Sequence, residues 1–284
     1  MKNRFFAAVL TVLLLIPMLP VIAYADCGPK PSTYITVHTV GGERAVVTLL
    51  SEKEHSGPYH KVEPGEEPNE YQELNAVEEE AWEVFRDYAD PDGYSFLGEL
   101  WDANVDWNYW PPENFKIAVY YPDYDVLWVS EDSYDRYAFH SDYRLNLPAL
   151  GAGAQSGGVD MVLKKSSDIP AEVVGLLWRI FLTIVIELSV ARVFGFESKR
   201  QKKVLLRVNL VTQIGLNVML WVWYYWSGPL TAMLGLAAAE LVVLLAESVA
   251  YLLWLREDES KLRTVGYAIC ANLMSVVVGF LFLN

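Results

Sequence analysis

The chain has 284 residues, 53 % of them hydrophobic and 20 % charged, with a formal net charge of -14. The charge is unevenly spread: residues 26–168 hold 28 acidic and 10 basic side chains, whereas residues 169–284 hold 8 and 10. So acidic a first half excludes nucleic acid as a partner, because phosphates need Lys and Arg to neutralise them. The segregation predicts an α+β chain made of a signal peptide, a small β-rich extracytoplasmic domain with one main helix, and an all-α four-helix transmembrane bundle.

Residues 1–25 open with Lys2 and Arg4, continue with an apolar run broken by Pro17 and Pro20, and end on Ala23 and Ala25 before Asp26. This is the pattern of a secretory signal with an A-x-A cleavage site. The alternative, an uncleaved anchor, has to contend with an apolar run shorter than the ~20 residues that span a bilayer. Cys27 would suit a lipid-modified terminus, but Asp26 stands where a small residue is expected. Cys27 and Cys270 are the only cysteines, at opposite ends of the plan, so no disulfide framework is expected.

Residues 26–148 form the acidic extracytoplasmic domain. Alternation over residues 33–40 and a β-branched run over 45–50, separated by Gly41 and Gly42, predict a hairpin. Residues 51–74, rich in Glu, Pro and Gly, predict a long loop with weak local structure. Asn75 with Glu78 three residues on forms a helix start, and Val77, Ala81, Val84, Phe85 and Tyr88 make one apolar stripe ending before Asp90-Pro91-Asp92-Gly93. Asp90, Asp92 and Gly93 could begin a calcium loop, but the twelfth position is Trp101 and the glycine comes two places early, so the reading is a turn. Strands are predicted over 94–101, 116–121, 126–130, 136–139 and 143–147, the second and third joined as a hairpin.

Trp107, Tyr109, Trp110 and Trp128 interleave with acids and are candidates for a binding cleft for a cation or sugar. Their competing role is as the large core pieces of a small domain. The four histidines fit no zinc spacing and no nucleophile elbow occurs, so no catalytic residue, metal site or cofactor is assigned. Residues 149–169, rich in Gly and Ser, predict a flexible linker.

Residues 170–284 contain four apolar segments at about 170–194, 204–225, 230–254 and 264–283, each long enough to cross a bilayer at ~20 residues. With the first half exported, the basic loops near 195–203 and 255–263 fall in the cytoplasm and the C-terminus outside, as the positive-inside rule requires. Trp221, Trp223, Tyr224, Tyr225 and Trp226 then form an interfacial belt. Seven residues separate Glu240 from Glu247, only about 20° around a helix, so both acids share a face that cannot look at lipid. At a rise of about 1.5 Å per residue, Arg179, Asn217 and Glu240 lie at one depth, Glu187, Asn209 and Glu247 at a second, and Gln213 and Asn272 between. An Arg179–Glu240 ion pair is expected above, and below it two acids that either bind a proton or cation or snorkel to the inner edge. The amides have a plainer reading as glue between helices.

CGPKPS after the signal, PPENFKIAVYYP in the first half, and IELSVARVFGF and NLVTQIGLN in the second resemble an uncharacterised family of exported, multi-spanning membrane proteins of Gram-positive bacteria. The resemblance implies a cell-membrane location and this architecture, and carries over no catalytic residue. The expected role is binding or sensing by the acidic domain, with membrane lipid and another envelope or membrane protein as partners. The alternative is a small transporter or intramembrane enzyme using the buried carboxylates.

Overall fold

The computed structural model describes residues 28–69, 72–151, 153–166, 169–255 and 260–282. The expected signal peptide and Cys27 lie outside the described residues. The chain is mixed α and β and divides into two units, one of them Lys30–Ser167 and the other containing the C-terminal helices.

The first unit has three layers. Strands β1 (Ser32–Thr39), β7 (Val105–Trp107), β11 (His140–Leu147) and β13 (Leu163–Lys165) form one sheet in the order β13-β11-β1-β7. The second sheet runs β12 (Gly157–Val159), β9 (Val126–Ser130), β8 (Asn114–Tyr121), β2 (Val46–Ser51), β5 (Ser95–Phe96), with β10 (Tyr134–Asp135) on β8 and β6 (Trp101–Asp102) on β2. Helix α1 (Ala76–Asp87) covers its outer face.

Strand periodicity explains the layering. Val47 and Leu49 of β2 with Ile117, Val119 and Tyr121 of β8 face the first sheet and meet Ile35, Tyr143 and Leu145. Their neighbours Val46, Leu50, Ala118 and Tyr120 face α1 and meet Ala81, Trp82 and Phe85. The central strands are therefore buried on both faces, whereas β11 alternates, with Ser141, Tyr143, Leu145 and Leu147 inward.

The start of α1 is as the sequence predicts: Asn75 Oδ1 accepts from the Val77 and Glu78 amides, and a Glu78 oxygen accepts from Asn75 N at 2.8 Å. The β8–β9 hairpin also forms, across a 3-10 turn at Pro122–Tyr124. Five expectations need correction. The first hairpin does not form: β1 pairs in parallel with β11 and antiparallel with β7, while β2 lies in the other sheet. The long loop carries a small hairpin, β3 (His55–Ser56) with β4 (Tyr59–His60), and buries Val62. The strand over 94–101 is split into β5 and β6, and residues 136–139 form no strand. The expected linker supplies β12 and β13, which pair with β9 and β11, and buries Met161 in the core. Backbone pairing holds Gly157 and Gly158, so their lack of side chains misleads a reading by composition.

In the second unit, α2 (Ile169–Val193), α3 (Lys199–Trp254) and α4 (Lys261–Phe282) follow. Ser198 caps α3 and exchanges hydrogen bonds with Gln201. Helix α3 is broken at Gly228, whose φ of 83° and ψ of 175° are open essentially to glycine alone, next to Pro229. Its arms fold back on each other, since Thr212 bonds Glu247 and Tyr251 bonds Asn209. Among the described residues, two helices are long and apolar enough to cross a membrane, Glu172–Val193 and Lys199–Trp254. Only 11 % of the most apolar stretch of each is buried within the protein, so neither resembles the central helix of a water-soluble core.

Candidate functional site

A polar core inside the helical unit begins with spacing. Ala239, Val243, Glu247, Tyr251 and Leu255 recur every fourth residue and are buried, as are Leu205, Val208, Asn209, Gln213, Leu216 and Asn217 on the other arm of α3. Such stripes put one face of each arm inward. On α2, Glu187 and Ala191 share a buried face, and on α4 so do Ala268, Ala271 and Asn272. Small residues at these positions let helices approach closely. Around the outside, Leu177, Trp178, Phe181, Val211, Val242, Leu245 and Leu253 are exposed.

Within this core Glu247 is fully buried and each carboxylate oxygen has a donor: Thr212 Oγ1 at 2.6 Å and Asn272 Nδ2 at 2.7 Å. Tyr251 OH donates to Asn209 Oδ1 at 2.5 Å, and its ring lies 5.6 Å from that of Tyr267. Glu187 is also fully buried, but neither of its carboxylate oxygens has a partner, and Asn209 Nδ2 has none either. Tyr267 OH reaches the backbone carbonyl of Glu187 at 3.4 Å, not its side chain.

The structure thus brings together Glu187, Asn209, Glu247 and Asn272 and buries Gln213 and Asn217 along the same face, Asn217 Nδ2 bonding the Gln213 carbonyl. The expected Arg179–Glu240 ion pair is absent among the described residues: Arg179 is exposed and Glu240 half-buried. Arg179 lies on an exposed face of α2 while Glu240 is partly covered, a difference in facing that a match of depth along the axis cannot detect. Thr212, Tyr251 and Tyr267 are members that sequence reasoning missed. Tyr251 sits one turn after Glu247 and Thr212 three residues after Asn209, a spacing that could have flagged both.

The aromatic candidates of the β unit separate. Trp107 and Trp128 are core: Trp107 packs edge-on to Tyr59 at 5.1 Å, and Trp128 Nε1 donates to the Gln155 carbonyl at 3.3 Å. Tyr109 and Trp110 lie at the surface, each ring 5.8 Å from Lys30 Nζ. Trp110 borders an open groove of about 180 Å³ lined also by Lys53, His55, Gly57, Glu113 and Arg136. Gly57 has a φ of 59°, and a Cβ there would lie 2.4 Å from that of Trp110, so only glycine lets the β3–β4 turn reach this wall. Burial holds the Arg136 guanidinium below its usual value despite nearby Glu113, and its Nη1 has no partner.

The turn acids are not a cation site. Lys116, buried on β8, places Nζ 2.6 Å from Asp92 and 3.2 Å from Asp90, while Asp90 also accepts from the Asp92 and Tyr94 amides. No protein family, curated protein or solved structure matches the chain.

Proposed function

We propose that the chain is an integral membrane protein of the bacterial cell envelope, in which the acidic β unit binds or senses an extracytoplasmic ligand and the helical unit anchors it. The observation that carries this reading is the inverted arrangement of the helical unit: Glu187, Asn209, Gln213, Glu247 and Asn272 are buried while large apolar side chains face outward. In water that arrangement wastes apolar burial and strands polar groups; in lipid it satisfies both requirements. On this reading α2, the two arms of α3 and α4 make four crossings. The signal exports the β unit, loops near 195–203 and 255–263 are cytoplasmic, and the C-terminus is outside.

Within the β unit the Trp110 groove is the ligand site, because it joins an exposed indole to a wall that includes Arg136, whose Nη1 is buried without a partner behind it. Washing membranes of expressing cells with alkaline carbonate tests the anchor: the chain should stay in the pellet until detergent is added. Release by carbonate sinks the membrane reading. For the ligand site, the Lys30–Ser167 unit is titrated with solubilised cell-wall fragments, and Trp110→Ala should weaken retention at least about tenfold, the loss of a well-packed aromatic anchor. Equal retention by the variant removes the groove from the proposal.

A second reading, a small transporter or intramembrane enzyme, is favoured by one observation that an anchor does not need: the unpartnered carboxyl of Glu187.

A further inference from the structure

Glu187 and Glu247 are both fully buried, yet the protein treats them differently. Glu247 has a donor on each oxygen, from Thr212 on its own helix hairpin and Asn272 on α4, which is how a protein holds a carboxylate acceptor. Glu187 has no donor on either oxygen. A buried carboxylate without donors or a counter-ion is heavily penalised, and removing its charge with a proton relieves that penalty.

The groups that face it deepen the asymmetry. From α3 the charges acting on Glu187 are those of Glu247 and Glu240, both acidic. The phenols Tyr251 of α3 and Tyr267 of α4 lie near both acids. Arg263 of α4 is engaged at the end of α2, where its Nε donates to the Phe194 carbonyl at 2.5 Å and its guanidinium lies over Phe196. Phe194 is seven residues past Glu187, about 10 Å along the helix. No group of three or more His, Cys, Asp or Glu side chains is arranged to hold a metal among the described residues.

We propose that Glu187 and Glu247 form a proton-binding site of the helical unit, in which Glu247 is the fixed acceptor and Glu187 the group that takes up and releases the proton. Release breaks the Glu187 O–H bond, leaves the electron pair on the carboxylate and passes the proton to water. The site rests on the membrane reading of this unit and deepens its transport alternative, supplying the exchangeable proton that a proton-driven transporter requires. The unbonded Asn209 Nδ2 is a donor within the same core that a newly formed Glu187 carboxylate could recruit by a side-chain rotation.

The test uses the full chain reconstituted in phosphatidylcholine and phosphatidylglycerol vesicles, after carbonate washing has established that it is integral. Infrared difference spectra across a pH ramp should contain a protonated-carboxyl C=O band that shifts in D₂O and is lost on alkalinisation. Glu187→Gln should abolish that band, Glu240→Gln should keep it, and Glu247→Gln should move the pH at which it disappears. A band that survives Glu187→Gln, or no such band in the unaltered chain, overturns the proposal. A second measurement needs no variant: a membrane-permeant carbodiimide, which reacts with protonated carboxyls, should modify Glu187, and raising the pH should protect it. Absence of the Glu187 adduct, or protection by sodium at fixed pH, equally overturns it. Release of the chain by carbonate would instead defeat the membrane reading, so the two failures are distinct.

Discussion

Lys116 is a buried lysine held by two acids of unequal exposure, Asp90 at 1 % and Asp92 at 64 %. Burial alone would lower its pKa, but hydrogen bonds to Asp92 and Asp90 outweigh burial and raise it. Replacing it strands the Asp90 carboxylate, since removing one member of a buried pair leaves the other uncompensated. Lys116→Ala should therefore destabilise the β unit by about 3 kcal/mol, measured by urea unfolding. A loss below about 1 kcal/mol would mean the pair behaves like an exposed one. Glu99 is the opposite case, a half-buried acid whose pKa is raised by burial with no compensating partner. A carboxyl with a raised folded-state pKa stabilises the fold below its unfolded value and loses that contribution as pH climbs. Glu99→Gln should consequently raise the unfolding temperature at neutral pH, with the gain shrinking as pH falls through the ordinary carboxylate range. A constant gain across that range would disconnect the effect from Glu99 ionisation.

At the scale of elements, the ends of the β unit decide its stability. Strands β12 and β13 extend β9 and β11, Gln155 receives the Trp128 indole N–H, and the Tyr134 hydroxyl bonds the Met161 carbonyl. A fragment ending at residue 148 uncovers two sheet edges and opens the core at Met161, so it should aggregate or lose cooperative unfolding, whereas Lys30–Ser167 should unfold in one transition by circular dichroism. Equal stability of the two fragments would demote both strands to decoration. The same comparison explains what the chain made legible. Helix α1 was readable because its signals lie within four residues of one another at Asn75 and Glu78. The β8–β9 hairpin was readable because its turn is local. The pairing of β1 with β11, about a hundred residues apart, was not, since the local lure of Gly41-Gly42 has no competitor until the distant strand is in view. In the helical unit the sequence identified six of the buried polar residues by their cost in an apolar segment, yet the bonds of Thr212, Tyr251 and Tyr267 depend on which faces meet.

Across the whole molecule, the charge that best fits a membrane is one that helix energetics oppose. Lys199, Arg200, Lys202 and Lys203 occupy the first two turns of α3, where the helix dipole presents its positive end and cations are disfavoured. At the positive end of the helix dipole each such cation costs a few tenths of a kcal/mol before any partner is counted. On the proposed topology an anionic cytoplasmic leaflet would supply about 1 kcal/mol per basic residue near its surface, more than enough to reverse the sign. On that topology the basic loop would fix the orientation of the α3 hairpin. Replacing all four by Gln should let part of the population insert with that loop outside. The readout is Ser198→Cys, in a background with Cys27 and Cys270 replaced by Ser, treated with a membrane-impermeant maleimide on intact cells. The charged loop should stay unlabelled until the membrane is permeabilised, and the neutralised one should label in part beforehand. Labelling of Ser198→Cys in intact cells with all four charges present would invert the orientation and put the Trp221–Trp226 belt at the cytoplasmic surface.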